Sequence, residues 1–289
     1  MEHAGLTILV GFASGVMSGM FGVGGGVITT PAIRWVLGAP ALVAVGTPLP
    51  VILPSALTGA ISYRRRGLAD LRGGLTIGLV GSAFSVLGAI LATKVGGQVV
   101  LLLTGLLIVY MSADMVLQVV RPRADGEWVG GAATDQDTDA GASAAADPAL
   151  VPDQVAATGA SSVAPRPGGL ALAFIGALTG LYSGFLGLGG GFILVPILTR
   201  WFRYPIKMAI GTSLVAITVL SIPGSITHYL LGNVDPELAL LLIVGVVPGA
   251  LVGSRITFGA SDRFMRLGFA ALLVVVGVAL LITESGVLG

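Results

Sequence analysis

The chain has 289 residues, of which 55% are hydrophobic and only 10% are charged, and its mean hydropathy is +0.98. Apolar runs of helix-spanning length predict an all-α polytopic membrane protein. The net charge of +1 provides no basic field for nucleic acid, and the absence of cysteine excludes disulfides, thiolate metal sites and cysteine nucleophiles.

A glycine-rich break interrupts the first apolar segment, which runs from Gly5 to Phe21 and resumes from Val27 to Leu37 after Gly24–Gly26. At a rise of about 1.5 Å per residue, the first arm would cross most of a hydrocarbon core about 30 Å thick, and the second about half of it. Non-helical backbone inside a membrane must face protein or a wet cavity. We therefore predict a broken helix or a re-entrant hairpin whose turn faces the protein interior.

Three further apolar segments complete the first half, namely Ala41–Tyr63, Gly73–Thr93 and Gln98–Val120. The next 46 residues contain half of the chain's acidic residues and no sustained apolar period, which predicts a disordered, solvated linker. We therefore divide the chain into a membrane repeat at 1–121, an acidic linker at 122–167 and a second membrane repeat at 168–289.

The second half repeats the first at a constant offset of 165 residues. The recurring pairs include Ser18 and Ser183, Gly24 and Gly189, Pro31 and Pro196, Thr47 and Thr212, and Asp70 and Asp235. Helix packing through small residues would explain any single glycine pair, but not the collinear set. An internal duplication explains the set, and many secondary transporters bind substrate between duplicated halves, at discontinuous helices.

The basic residues indicate how the two halves are oriented. Four crossings per half would place seven basic residues on one face and eight on the other. With three crossings per half the second half is inverted, and thirteen of the fifteen share one face, leaving Arg34 and Lys94 on the other. We therefore predict two inverted repeats in the cell membrane, each a glycine-rich hairpin plus three transmembrane helices. The linker would then be cytoplasmic and both termini outside.

The glycine-rich turns are candidate anion-binding sites, because free N–H groups at the start of each second arm carry partial positive charge. Glycine permits close approach, and nearby hydroxyls add donors. The candidate substrate-binding residues are Ser18, Gly22, Gly24, Gly25, Gly26, Thr29, Thr30 and Thr47 in the first half, and Ser183, Gly187, Gly189, Gly190, Gly191, Thr212 and Ser213 in the second. Helix packing by these glycines is the main alternative.

Two ionisable residues within the spans are candidates for coupling or gating. His228 lies near the predicted outer end of its span, where an amphipathic interface role is the favoured alternative. Asp114 lies six residues inside the end of the fourth span, two helical turns from Arg121, and an interfacial role is an equal alternative. Asp70 and Asp235 are expected to be turn or cap residues. No cofactor and no metal site is predicted.

The motif Ser-Gly-x-x-Gly-x-Gly-Gly-Gly followed by proline, present in both halves together with Gly-Thr and Gly-x-x-Asp elements, resembles the sulfite exporter TauE/SafE family of permeases. The resemblance covers both membrane halves but not the linker. It implies movement of sulfite, of organosulfonates such as sulfoacetate, or of other organic anions. It places the family's glycine-rich motifs on Gly22–Gly26 and Gly187–Gly191. The two halves are not equivalent throughout, because Pro48 stands in the first half where the second half has Ser213.

The function expected from these features is a secondary permease for a small sulfur-containing anion, working by alternating access between the repeats within the lipid bilayer. The alternatives are a permease for a non-sulfur organic anion, or a membrane scaffold that binds a partner through the linker. An enzyme is not expected, because no His-Glu-x-x-His motif or Gly-x-Ser-x-Gly elbow occurs in the glycine-rich segments. The anion, the direction of transport, the coupling ion, homo-oligomer formation and the role of the linker are left open.

Overall fold

The computed structural model describes residues 2–120 and 168–284. Within these two ranges it contains eleven α-helices, one π-helical segment and no β-strand. The helices are α1 (Glu2–Phe21), α2 (Gly26–Pro31), α3 (Ala41–Gly46), α4 (Pro48–Arg64), α5 (Leu71–Val95), α6 (Gly97–Val120), α7 (Gly169–Leu186), α8 (Gly191–Arg200), α9 (Ile206–Leu230), α10 (Pro236–Gly259) and α11 (Asp262–Glu284), and the π-helical segment is Ala32–Val36. The predicted linker, 122–167, lies outside the described residues.

Six helical segments in the described ranges are long and apolar enough to cross a membrane. They are Ala4–Phe21, Ala41–Arg64, Leu71–Val95, Gly169–Leu186, Ile206–Leu230 and Pro236–Gly259. The prediction of an all-α polytopic membrane protein is confirmed. The segment predicted at Gly73–Thr93 becomes α5, which is two residues longer at each end.

The predicted span Ala41–Tyr63 is confirmed as the span Ala41–Arg64, and its helix is interrupted at one residue. The segment predicted as a single helix from Ala41 to Tyr63 forms α3 and α4, which meet at Thr47. The break falls immediately before Pro48, which has no N–H group to donate to the carbonyl four residues earlier. Proline therefore ends α3 and begins α4.

Both predicted glycine-rich breaks are present. α1 and α7 each end in a four-residue turn before the next helix begins. We call Gly22–Gly25 the first turn and Gly187–Gly190 the second turn. Three glycines in each turn have φ between 70° and 83°, a backbone region that only glycine enters without steric cost. The two helices therefore stop just before Gly22 and Gly187, the first glycine of each turn.

The two repeated aspartates cap helices, as predicted. Asp70 Oδ1 accepts the N–H of Gly73 at 3.1 Å, which caps α5. Asp235 Oδ1 accepts the N–H groups of Glu237 and Leu238 at 3.0 and 3.1 Å, which caps α10. These bonds satisfy donors that have no partner inside their own helix.

Replacing Asp235 with alanine should lower the free energy of unfolding by about 1 kcal/mol, because two N–H groups at the start of α10 lose their acceptor. Asp235→Asn, which keeps a side-chain oxygen, should lose less. Thermal unfolding of the purified protein in detergent measures both. Equal stability of the wild type and the alanine variant would show that the cap contributes nothing.

The first helix of each half packs closely against the third span of the other half, backbone to backbone. The facing pairs are Gly11 with Leu242, Gly15 with Val246, Gly19 with Ala250, Gly176 with Ile77, Gly180 with Gly81, and Gly184 with Ser85. Residue numbers rise together in both series, so α1 runs parallel to α10 and α7 runs parallel to α5. Small residues are what permit backbones to approach this closely.

Two reciprocal hydrogen bonds between the halves show in which direction α4 and α9 run relative to the other helices. The Asp235 N–H donates to Thr47 Oγ1 at 3.0 Å, and the Asp70 N–H donates to Thr212 Oγ1 at 2.9 Å. α10 therefore starts beside the start of α4, and α5 beside the start of α9. α1, α4 and α10 run one way and α5, α7 and α9 run the other. Corresponding helices of the two halves have opposite directions.

Candidate functional site

The two glycine-rich turns meet in the interior of the protein, and every residue of both turns is buried. A Cβ placed on Gly26 would lie 2.7 Å from the Leu188 backbone, and one placed on Gly191 would run into the Gly22 carbonyl oxygen. The two turns are therefore in direct backbone contact, which only glycine at these positions allows.

Two isoleucines at equivalent positions seal the point where the turns meet. Ile52 of α4 and Ile217 of α9 both contact Gly24 of the first turn and Gly189 of the second. Both isoleucine side chains are fully buried. The site predicted between the halves is thus closed on this side by apolar groups from α4 and α9.

Hydroxyl groups fix the first turn in place. Ser14 Oγ donates to the Gly25 carbonyl at 2.8 Å, and Thr29 Oγ1 donates to the same oxygen at 2.7 Å. Ser213 Oγ, from the other half, donates to the Gly22 carbonyl at 2.9 Å. Of the predicted binding residues, Thr29 and Ser213 therefore stabilise the turn itself.

The remaining predicted serines and the threonine at position 30 are buried beside the turns. Ser18 Oγ accepts a hydrogen bond of 2.7 Å from Ser55 Oγ. The hydroxyls of Thr30 and Ser183 are fully buried and have no hydrogen-bond partner among the described residues, and the same holds for Thr179. Thr179 is not among the predicted binding residues, although the offset of 165 residues aligns it with Ser14.

The hydroxyls of Thr47 and Thr212 are used at helix starts. Their oxygens accept the N–H groups of Asp235 and Asp70 at 3.0 and 2.9 Å, where α10 and α5 begin. The two Gly-Thr elements thus bind the start of one helix to the other half of the protein. They also lie close to the turns, because a Cβ on Gly187 would run into the Val45 carbonyl oxygen and Ser213 bonds the Gly22 carbonyl.

His228 is fully buried within the protein. Its Nε2 lies 2.9 Å from the Gly184 carbonyl, and because a carbonyl only accepts, Nε2 carries a proton. Tyr63, at the equivalent position, donates to the Gly19 carbonyl at 2.9 Å. The absence of a side chain on Gly184 lets the His228 ring reach the α7 backbone.

The other coupling candidate, Asp114, belongs to α6, and its side chain lies outside the described residues. Within residues 2–120 and 168–284, no group of three His, Cys, Asp or Glu residues could hold a metal ion. His228 is consequently the candidate whose surroundings the structure shows.

A cavity of about 580 Å³ opens at the end of the molecule where α1, α3 and α10 begin. Thr7, Ala39, Asp235 and Glu237 are among the residues that line it, and none of its lining residues belongs to a glycine-rich turn. A smaller cavity of about 190 Å³, between α4, α5 and α9, is also separate from the turns.

At the opposite end of the molecule, the position equivalent to Ala39 in this cavity is filled by a large side chain. Tyr204 corresponds to Ala39 at the offset of 165 residues, and its side chain is buried. Its hydroxyl donates to Asp70 Oδ2 at 2.8 Å, and Asp70 is the equivalent of Asp235. The same local scaffold is therefore open to a cavity at one end and occupied by a tyrosine at the other.

The family model described as "Sulfite exporter TauE/SafE" matches residues 7–280. A probable membrane transporter protein, YunE of Bacillus subtilis (strain 168), is 25% identical over 283 residues, covering 96% of each chain. A probable membrane transporter protein of Xylella fastidiosa (strain 9a5c) is 29% identical over 273 residues, covering 93% of this chain and 90% of the relative. One from Methanocaldococcus jannaschii is 24% identical over 296 residues, covering 96% and 95%. No solved structure gives a significant match.

Proposed function

The chain belongs to the sulfite exporter TauE/SafE family and is a membrane transporter, not an enzyme, and from this premise we propose that it is a secondary permease for sulfite or a small organosulfonate. The observation that carries the proposal is the contact between two buried glycine-rich turns, one from each half of the chain.

The proposed substrate-binding groups are neutral. The segments Gly15–Pro31 and Gly180–Pro196 contain no charged residue, so an anion between them would be held by backbone N–H groups and hydroxyls. Such donors bind anions at helix starts and in nests of successive N–H groups. Transport requires binding that is strong enough for entry and weak enough for release, and neutral donors suit a permease better than a buried arginine would.

We propose alternating access between the two halves as the transport mechanism. Opposite directions of corresponding helices support an inverted repeat, an arrangement in which one repeat rocks against the other around a central site. The cavity beside Asp235 and the filled position at Tyr204 are consistent with one end open and one end closed. With the basic face in the cytoplasm of a cell-membrane protein, the open end is outside and Tyr204 is cytoplasmic.

Uptake of labelled sulfite and sulfoacetate into liposomes that contain the purified protein tests this function. We expect saturable flux for at least one of them, absent from protein-free liposomes, and competition by unlabelled sulfonate but not by acetate. Flux measured with and without a pH gradient shows whether protons are coupled. If folded protein moves neither sulfur anion, or acetate competes equally well, the proposed substrate class is wrong.

A further inference from the structure

The two glycine-rich turns differ in the hydroxyl groups around them. Three hydroxyls that fix the first turn or its neighbouring serine have no counterpart at the equivalent positions in the second half. The replaced pairs are Thr29 with Leu194, Ser55 with Leu220, and Ser213 with Pro48. The hydrogen bonds made by these three hydroxyls therefore cannot form at the second turn.

Two hydroxyls remain at the second turn with nothing to bind. Thr179 and Ser183 correspond to Ser14 and Ser18, and both are fully buried with no hydrogen-bond partner in the described part of the chain. A Cβ on Gly190 would lie 2.6 Å from Thr179 Cγ2 and 3.4 Å from Ser183 Cβ, so both side chains line the second turn. Burying a hydroxyl without a partner is unfavourable, which indicates that a ligand satisfies these groups.

The second turn leads directly into a helix, as the first turn does. α8 has ten residues, and α2 continues without a break into the π-helical segment. The first N–H groups of α8 have no acceptor within the helix and lie at its positive end. Two hydroxyls and a helix N-terminus therefore occur together at Gly190.

We propose that the transported oxyanion binds at the second turn, held by the hydroxyls of Thr179 and Ser183 and by the first N–H groups of α8. At the first turn, by contrast, the hydroxyls of Ser14, Thr29 and Ser213 already donate to backbone carbonyls. The anion enters when the two turns separate, and a sulfite or sulfonate head group offers three acceptor oxygens to these donors. This inference rests on the proposed function and assigns its binding site to one half.

Matched substitutions at equivalent positions in the two halves test the assignment. Thr179→Val and Ser183→Ala should each raise the KM for sulfite uptake about tenfold, because each removes a donor to a charged ligand. Neither should lower the Tm of the purified protein, since the structure described here shows no bond lost. Ser14→Ala should lower the Tm and leave the KM of the folded protein within about twofold.

Thr179→Ser keeps the hydroxyl and should keep the wild-type KM, which distinguishes the lost donor from altered packing. A KM within twofold of wild type for the Thr179→Val, Ser183→Ala double variant would overturn the inference, as would an equal rise in KM for Ser14→Ala. Wild-type protein without saturable flux would contradict the proposed function instead.

Discussion

Replacing Gly184 with valine should prevent α7 from packing on α5 and unfold much of the protein. A Cβ at this position would run into the Ser85 carbonyl oxygen and lie 3.0 Å from the Ala89 nitrogen, and neither backbone atom can move without separating the helices. Valine would also displace His228 from the Gly184 carbonyl. We expect a loss of about 3 kcal/mol or more, equivalent to about 6–12 °C in Tm for a chain of this size.

Gly169→Val provides the control, because Gly169 lies in the same helix and a Cβ there meets nothing within 4 Å. Its Tm should stay within about 3 °C of wild type, which corresponds to the difference in helix propensity. Scanning fluorimetry of both variants in the same detergent makes the comparison. Equal Tm values for the two would show that α5 and α7 do not pack through this face.

The positions of the helices could be predicted because the signals are local. Apolar segments of bilayer length fix where helices lie, and the triple glycines at 24–26 and 189–191 fix where two of them break. The division between α3 and α4 also has a local cause, since Pro48 carries no N–H group. That signal was present in the sequence, but the surrounding apolar residues favoured one continuous span.

The surroundings of individual side chains could not be predicted, because they depend on which helices meet. His228 near the end of a span resembles an interface residue, yet Gly184 on another helix lets it bury its ring. Thr179 lies among apolar residues in its helix and resembles a core residue. Its lack of a partner becomes visible only when the bonds of its counterpart Ser14 are compared with its own surroundings.

The two halves share a backbone design and differ in side chains. Tyr63 and His228 bind the Gly19 and Gly184 carbonyls at the same distance of 2.9 Å, so hydroxyl and imidazole serve one structural purpose at equivalent positions. Ala39 and Tyr204, by contrast, leave one end open and fill the other. Equivalent positions can therefore keep one structural role with different side chains or lose it altogether.

Replacing Gly190 with alanine should abolish saturable sulfite uptake, with a loss of at least about 100-fold. Gly190 has a φ of 72°, and an added methyl group would lie 2.6 Å from Thr179 Cγ2 and 3.4 Å from Ser183 Cβ, between the two side chains of the proposed site. Part of the expected effect is general, because alanine in this backbone region costs about 1–2 kcal/mol wherever it occurs. The prediction concerns the part that is specific to the site.

Gly232→Ala separates the general backbone cost of alanine from the effect that is specific to the proposed site. Gly232 has a φ of 73° and a Cβ there meets nothing within 4 Å, so its backbone cost matches that of Gly190→Ala while the second turn stays unchanged. Both variants should lose similar stability by thermal unfolding, and the Gly232 variant should retain most of the wild-type flux per folded molecule. If flux falls equally in both, the glycine at 190 serves packing alone, and the anion site must be sought elsewhere between the halves.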